Sequence, residues 1–386
     1  MNLVFVSPHF PPQYHLFCVA ARRRGINVVG VGDAPFESLR AELAAALAEY
    51  VYVSDMNDDD AMIRAMGYMT SRHGKIDRID SLNEHWLEVE ARLRENFNVF
   101  GQKPADTARN RSKSAMREVF RAAGVPCTEG TAFTTAAQAT VFAKQHGYPL
   151  VIKPDTGVGA AKTYKVRNAA ELDAALADNL DGYVIEKFAT GKLGSFDGLV
   201  DRDGRIVICI SNIYSSGIME IVNERRPLHY YTRREIPAKL EDYGKRVIAA
   251  FGIRERFFHI EFFETDDDFV ALEVNVRPPG GFTTDMMNYA IEGDIYDLWA
   301  RVLSEGTIPD FTYERRYHVM YVGRRRGAPH RFIAEEIRVA LGDRFILYRE
   351  MPDAFAGAMG DEMFLLRDSS LEPLLEAERM IQETAP

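Results

Sequence analysis

The 386 residues are 46% hydrophobic and 27% charged, with a formal net charge of −10, the balance of an ordinary globular chain long enough for two or three packed units. Such an acidic balance argues against broad nucleic-acid binding, which leaves a basic footprint, and an anionic substrate would need local lysine, arginine or metal. Cys18, Cys127 and Cys209 are few, odd in number and far apart, which points to a reducing, cytoplasmic compartment without a disulfide framework or zinc spacing. No apolar run approaches the roughly 20 residues of a membrane helix, and Pro8, Pro11 and Pro12 interrupt the N-terminal apolar stretch, so neither a membrane partner nor a signal peptide is expected.

Residues 2–6 are a short apolar run, a buried strand. A loop follows at 8–12, then a helix at 16–24 stopped by Gly25, and a second strand at 27–31. Strand, helix, strand at this spacing is a βαβ unit with a parallel sheet. The pattern continues with a helix at 36–48, a strand at 50–53, a helix at 58–72, a strand at 77–81 and a helix at 84–95. The unit resembles a dinucleotide-binding architecture but lacks the G-x-G-x-x-G turn, so no nicotinamide site is expected. Glu84 follows a strand end, where α/β sheets place functional groups. Its plain reading is an exposed residue opening a helix; the alternative is one facing a substrate.

Residues 98–105 connect to a new unit. One helix is expected from about 106 to 123, with Ala115, Met116, Val119, Phe120 and Ala123 as its apolar stripe. Lys113 lies off that stripe and by itself reads as a solvated surface residue. A helix at 135–146 precedes a strand at 148–154 that carries Lys153 near its end, a glycine-containing loop at 155–161 and a return strand at 162–166. Backbone N–H groups in such a loop can cradle phosphate oxygens, although an ordinary hairpin turn explains it as well, and it is not a Walker A sequence. After a helix at 169–178, the strand at 183–188 offers its backbone and Glu186 to the edge of a purine. A hairpin at 194–200 and 205–212 turns at Asp203-Gly204. Arg225, Arg226, Arg233 and Arg234 cluster beside Tyr230 and Tyr231 and read equally as an anion-recruiting patch or a solvated loop. A helix spans 239–251.

Two apolar runs, 257–263 and 269–276, then flank an acidic turn at 265–268 and read as a β-hairpin. Residues two apart on a strand share a face, which groups Glu261 with His259 and Phe263, and Glu273 with Asn275 and Arg277. The result is an oxygen-rich site beside a fixed cation. Mg²⁺ takes hard oxygen ligands, commonly one or two carboxylates plus substrate phosphates, and an arginine can clamp a phosphate or carboxylate. The bland alternative, solvated polar positions on a half-buried hairpin, is disfavoured because the polar set falls on consecutive same-face positions and ends in Pro-Pro-Gly-Gly. A helix at 295–303 follows. Strands at 317–322 and 344–348, with helices at 334–341 and 371–383, make a small α+β cap, and the arginines at 324–326 read as surface.

Taken in order, these α/β and α+β pieces resemble the ATP-grasp superfamily over nearly the whole chain. The order is a helix lysine, a strand lysine with a glycine loop, a Glu-Lys strand, and an acidic hairpin ending in Glu273-Val-Asn-Val-Arg277. The resemblance implies an ATP-grasp fold: a pre-ATP-grasp domain with an N-terminal parallel sheet at 1–100, an ATP-grasp domain at 101–310 with its lid at about 125–190, and a C-terminal α+β subdomain at 311–386. It implies ATP with Mg²⁺, or Mn²⁺ in its place. Lys113 and Lys153 match the lysines that contact ATP phosphates. Thr156, Gly157, Gly159 and Ala160 fall in the loop that closes over them, with fewer glycines than the biotin carboxylase version. Glu186, Lys187 and Ala189 match the adenine hinge, Glu186 by side chain and the others mainly by backbone. Glu261, Glu273 and Asn275 match the metal ligands, and Arg277 the arginine that steadies the transferring phosphate or acyl phosphate. Glu84, Arg233, Gly280 and Gly281 are candidates on the substrate side. One departure lies past the hinge: Lys192, Leu193 and Gly194 stand where an acidic residue often holds the ribose, so no ribose residue is assigned.

The implied reaction is ligation of a small-molecule carboxylate to an amine through an acyl phosphate, with release of ADP and phosphate. Pro-Pro-Gly-Gly after Arg277 resembles the amino-acid and peptide ligase branch. A carboxylate–thiol ligase or a carboxylase-type enzyme of the same fold is the second reading, and a nucleotide-binding regulator without catalysis is the third. No nucleic acid is implied as a partner, and homodimers are common among such enzymes.

Overall fold

Short, valine-rich runs build the first sheet. β1 (Asn2–Val6), β2 (Asn27–Gly32), β3 (Glu49–Tyr52) and β4 (Arg78–Asp80) pair in parallel in the order β3-β2-β1-β4. Both faces are covered, as parallel sheets require. The helices are α1 (His15–Arg23), α2 (Ala41–Ala46), α3 (Asp59–His73) and α4 (Leu87–Asn96). Met62 and Met66 of α3 and Leu93 of α4 pack against Val4 and Val29 on one face. The helix expected at 36–48 is shorter than its alanine content suggested. A three-residue 3₁₀ turn ends at Ser38, and Leu39 and Arg40 are extended before α2 begins. The computed structural model describes residues 1–157, 163–178, 180–215 and 228–385.

The single helix expected over 106–123 is two. α5 (Pro104–Arg111) stops at Ser112, whose backbone is extended and whose Oγ accepts from the N–H of Ala115 at 3.1 Å. That is an N-cap, and it opens α6 (Lys113–Ala122) at Lys113. Next comes a four-stranded antiparallel sheet in the order β5-β8-β6-β7, from β5 (Gly130–Phe133), β6 (Leu150–Pro154), β7 (Tyr164–Val166) and β8 (Tyr183–Lys187). α7 (Ala136–His146) and α8 (Ala169–Ala175) bury Phe142 and Leu172 against Leu150, Ile152 and Ile185. β5 was not expected from sequence, because its residues are largely exposed and show no alternation.

The third sheet has eight strands in the order β13-β12-β9-β10-β11-β14-β16-β15. They are β9 (Lys192–Val200), β10 (Ile206–Tyr214), β11 (Leu228–Thr232), β12 (Arg256–Glu264), β13 (Phe269–Asn275), β14 (His318–Arg324), β15 (Phe345–Glu350) and β16 (Glu362–Asp368). α6 and α9 (Ala238–Phe251) cover one face through Met116, Phe120, Val247 and Phe251 against Phe258. On the other face, Phe17 of α1 meets Phe257 and Trp299 edge-on, with ring centroids 5.7 and 5.2 Å away. Trp299 lies on α11 (Ile295–Glu305), which follows α10 (Thr283–Ile291). The C-terminal cap adds α12 (Ala334–Leu341), α13 (Asp353–Met359) and α14 (Glu372–Gln382). Its strands extend this same sheet, and Ile337 and Leu374 pack on Met320 and Phe364. β11, β16, α10 and α13 were not expected from sequence. The arginines at 324–326 are not merely surface: Arg324 is buried over the Phe364 ring, and Arg325 donates to the carbonyls of Ala356 and Gly357 at the end of α13.

Candidate active site

The β12–β13 ladder sets Glu261 directly opposite Glu273 and His259 opposite Asn275. The register slips just after Glu261, and a bulge there re-aims neighbouring side chains. Like charges directly opposed on a ladder are destabilising. Burial pushes the Glu273 carboxyl above its ordinary range, and Glu261 adds to this while Lys113 and Lys153 oppose it. Burial acts on Glu261 in the same direction, but bonding to His259 and the charges of Arg277 and Lys153 outweigh it and hold that carboxyl low. Among the described residues, neither the Glu273 carboxylate nor the Asn275 carboxamide has a hydrogen-bond partner.

Two lysines approach, one from the start of α6 and one from β6 of the second sheet. Lys113, expected on the surface, is buried at the start of α6, and its Nζ donates to the carbonyl of Gly157 at 3.1 Å. Asp155 explains the placement. Its carboxylate takes Ser112 Oγ at 2.7 Å and the N–H of Ser114 at 2.7 Å, and its carbonyl accepts from the Lys113 N–H at 2.9 Å. Lys153 Nζ lies 2.5 Å from Glu186. Glu186 is buried and also pairs with Arg117 at 2.8 Å and accepts from Thr128 at 3.3 Å, so its side chain orients cations. The hinge backbone is more available. The N–H groups of Lys187 and Phe188 go to Glu129 and Pro149, while that of Ala189 has no partner among the described residues. Thr156 and Gly157 are exposed; Gly159 and Ala160 lie outside the described residues.

Arg277 joins the hairpin to the first sheet. Its Nε lies 2.9 Å from Glu84 Oε2, and its Nη1 donates to the carbonyl of Pro278 at 2.8 Å. Glu84 is therefore not the exposed helix opener of its plain reading. Burial would lower the Arg277 pKa, but Glu84, together with Tyr14 and Glu261, outweighs it and raises it. The Gly280-Gly281 turn follows. Gly281 has φ +64, its carbonyl accepts from Gln13 Nε2 at 2.7 Å, and a Cβ there would fall 2.6 Å from Met359 Cε. Arg233 is not brought into this group: it is ion-paired with Glu264 at the end of β12. Arg225 and Arg226 lie outside the described residues.

Sequence reasoning missed the support beneath Glu261. His259 Nδ1 lies 2.5 Å from Asp197, and Asp197 also accepts from Ser195 Oγ at 2.5 Å and Asn212 Nδ2 at 2.6 Å. Burial would lower the His259 pKa, but the Asp197 and Glu261 carboxylates raise it to about 9. The available signal was polar residues two apart, Ser195 and Asp197, inside an otherwise apolar strand.

The donor set fits Mg²⁺. Two carboxylates and a carboxamide are hard oxygen ligands, too few for a cage of protein alone, and Mg²⁺ is usually completed by water and phosphate. No group of three or more His, Cys, Asp or Glu able to hold a metal occurs among the described residues.

Residues 146–285 match the family model of the ATP-grasp domain. The chain is 29% identical over 276 residues to an uncharacterized protein of Sinorhizobium fredii, covering 66% of this chain and 56% of that one. It is 24% identical over 240 residues to the carbamoyl phosphate synthase large chain of Agathobacter rectalis, covering 58% of this chain and 21% of that one. The chain thus spans about half the first relative and about a fifth of the second. The crystal structure of an L-amino acid ligase from Bacillus licheniformis has the same fold, with a TM-score of 0.76 at 17% identity over 98% of this chain and 96% of that one. Residues 146–285 therefore carry an ATP-grasp domain, in a chain that has the fold of that ligase.

Proposed function

We propose that the chain is an ATP-dependent ligase that activates a small-molecule carboxylate as an acyl phosphate and passes it to an amine, with amino acids or similar metabolites as substrates. One observation carries the reading: groups from three separate stretches of chain converge, the charges of Lys113 and Lys153 acting on Glu273 and those of Lys153 and Arg277 on Glu261. The similarity to an L-amino acid ligase supports the substrate class at the level of fold. The proposed division is 1–100, 101–310 and 311–386, with the site where these parts meet.

In this reading Lys113 and Lys153 bind the phosphates of ATP, and Lys187 and Ala189 hold adenine by backbone. Glu261, Glu273 and Asn275 would hold Mg²⁺, which neutralises phosphate charge when bound. A carboxylate oxygen attacks the γ-phosphorus and ADP leaves. Arg277 then faces the acyl phosphate, the amine attacks its carbonyl carbon, and inorganic phosphate leaves with the bond electrons. The protein aligns groups and stabilises charge in this chemistry without a covalent intermediate of its own. Gly280 and Gly281 let the backbone approach the substrate closely, and Glu84 sets the orientation of Arg277.

The test is an ADP-release assay with Mg-ATP and pooled amino acids, dicarboxylic acids and amines, with mass spectrometry of active pools. The reading expects pool-dependent ADP release and a product lighter by one water than its two substrates. ADP release with no condensed product, or only a thioester, refutes amine ligation.

A further inference from the structure

His259 takes no part in the steps above, yet it is buried and bonded at both ring nitrogens. Nδ1 lies 2.5 Å from Asp197 Oδ1, and Nε2 lies 3.2 Å from Glu261 Oε1. Asp197 is completely buried, and its second oxygen accepts from Ser195 Oγ and Asn212 Nδ2. These residues form one polar patch across β10, β9 and β12. Asn212 stands opposite Ser195, Ser195 opposite Glu261, and Asp197 opposite His259. β9 is paired on both sides, and so is β12, so the chain of bonds from Asn212 to Glu261 is anchored on fixed backbone throughout. Among the described residues Glu261 Oε2 has no partner.

The geometry points to His259 as a positioning residue, held by Asp197, that fixes Glu261 Oε1 and leaves Oε2 free to ligate the metal. The inference rests on the reading of Glu261 as a metal ligand. An imidazole suits the place because its rigid ring spans two carboxylates on adjacent strands and presents a nitrogen to each. A carboxylate already held on one oxygen need not be ordered when the ion arrives. Removing such an outer partner typically changes metal affinity or activity by about 10–100-fold.

The experiment measures Mn²⁺ binding by electron spin resonance on the full chain with ADP, for the parent, His259→Gln and Glu261→Gln. ADP affinity without metal is measured by calorimetry alongside. The expected result is Mn²⁺ affinity weakened by about 10–100-fold in His259→Gln, with metal-free ADP affinity unchanged. Parent-like Mn²⁺ binding in His259→Gln, with loss in Glu261→Gln, overturns the positioning role alone. Parent-like binding in both variants overturns the metal reading as well. Equal loss of Mn²⁺ and metal-free ADP binding in His259→Gln makes the residue a general structural one. If His259→Gln does not fold, a crystal structure of the parent with Mn²⁺ and ADP decides. Glu261 keeping Oε1 on His259 with Oε2 on Mn²⁺ supports the inference, and both oxygens on the metal overturn it.

Discussion

Setting Glu261 against Glu273 on one ladder works against stability, and the proposed metal role would account for keeping both carboxylates. Glu273→Gln should cut ADP formation at least about 100-fold, since it removes stabilisation of transferring charge, while the thermal midpoint holds or rises. Near-normal turnover would remove the metal assignment. Lys153→Ala should weaken ATP binding without unfolding the chain, because Glu186 keeps Arg117; unchanged affinity by calorimetry would argue against a phosphate role. Asp285 is a structural counterpart. Burial pushes its carboxyl up to about 6, with the bond from Tyr296 pulling the other way, and Oδ2 is buried without a partner. A raised carboxyl pKa favours the protonated folded state, so that contribution is full below about 4 and lost as pH rises through 6. Asp285→Asn should therefore melt higher relative to the parent at pH 7.5 than at pH 5, by about 1.4 kcal/mol in stability; a constant difference would contradict this. That Glu261, Glu273 and Asn275 share one face of a hairpin was legible in sequence because strand periodicity is local. The burial of Lys113 was not, because it depends on Asp155, which is remote in sequence.

At the scale of elements, the junction of α5 and α6 shows the same dependence. The sequence on either side of Ser112 is compatible with continuous helix, and the break is stabilised by Asp155, which takes Ser112 Oγ and the Ser114 N–H. Asp155→Ala leaves those donors unpaired and should cost about 1–3 kcal/mol while weakening ATP affinity through Lys113. Denaturant unfolding and calorimetry check the two effects together; loss of stability with full ATP affinity would separate α6 from the site. The hairpin and the first sheet were legible because their strands and turns are clearly punctuated. β11 does alternate, with Leu228, Tyr230 and Thr232 buried, but the arginines around it drew the reading toward a surface patch. β5 has no such pattern and becomes a strand only by pairing with β8.

Across the whole molecule, Arg256 ties the first sheet to the third. It lies 2.8 Å from Glu90 and 3.1 Å from Asp80, all three buried, and its Nε donates to the carbonyl of Val276, beside Arg277. Glu90 also pairs with Arg94 at 2.6 Å. Arg256→Met leaves buried carboxylates short of a partner and should cost about 3–5 kcal/mol, read as a lower denaturation midpoint; a loss below 1 kcal/mol would show that the cluster does not hold the units together. No sequence pattern reveals such a bridge, because its members fall in separate units. The central claim remains that a carboxylate is activated by ATP at this junction. The most direct measurement supplies the active carboxylate labelled with ¹⁸O and follows the label by mass spectrometry. An acyl phosphate requires one ¹⁸O atom in each inorganic phosphate released with ADP. Phosphate free of label, alongside a condensed product, would contradict the account.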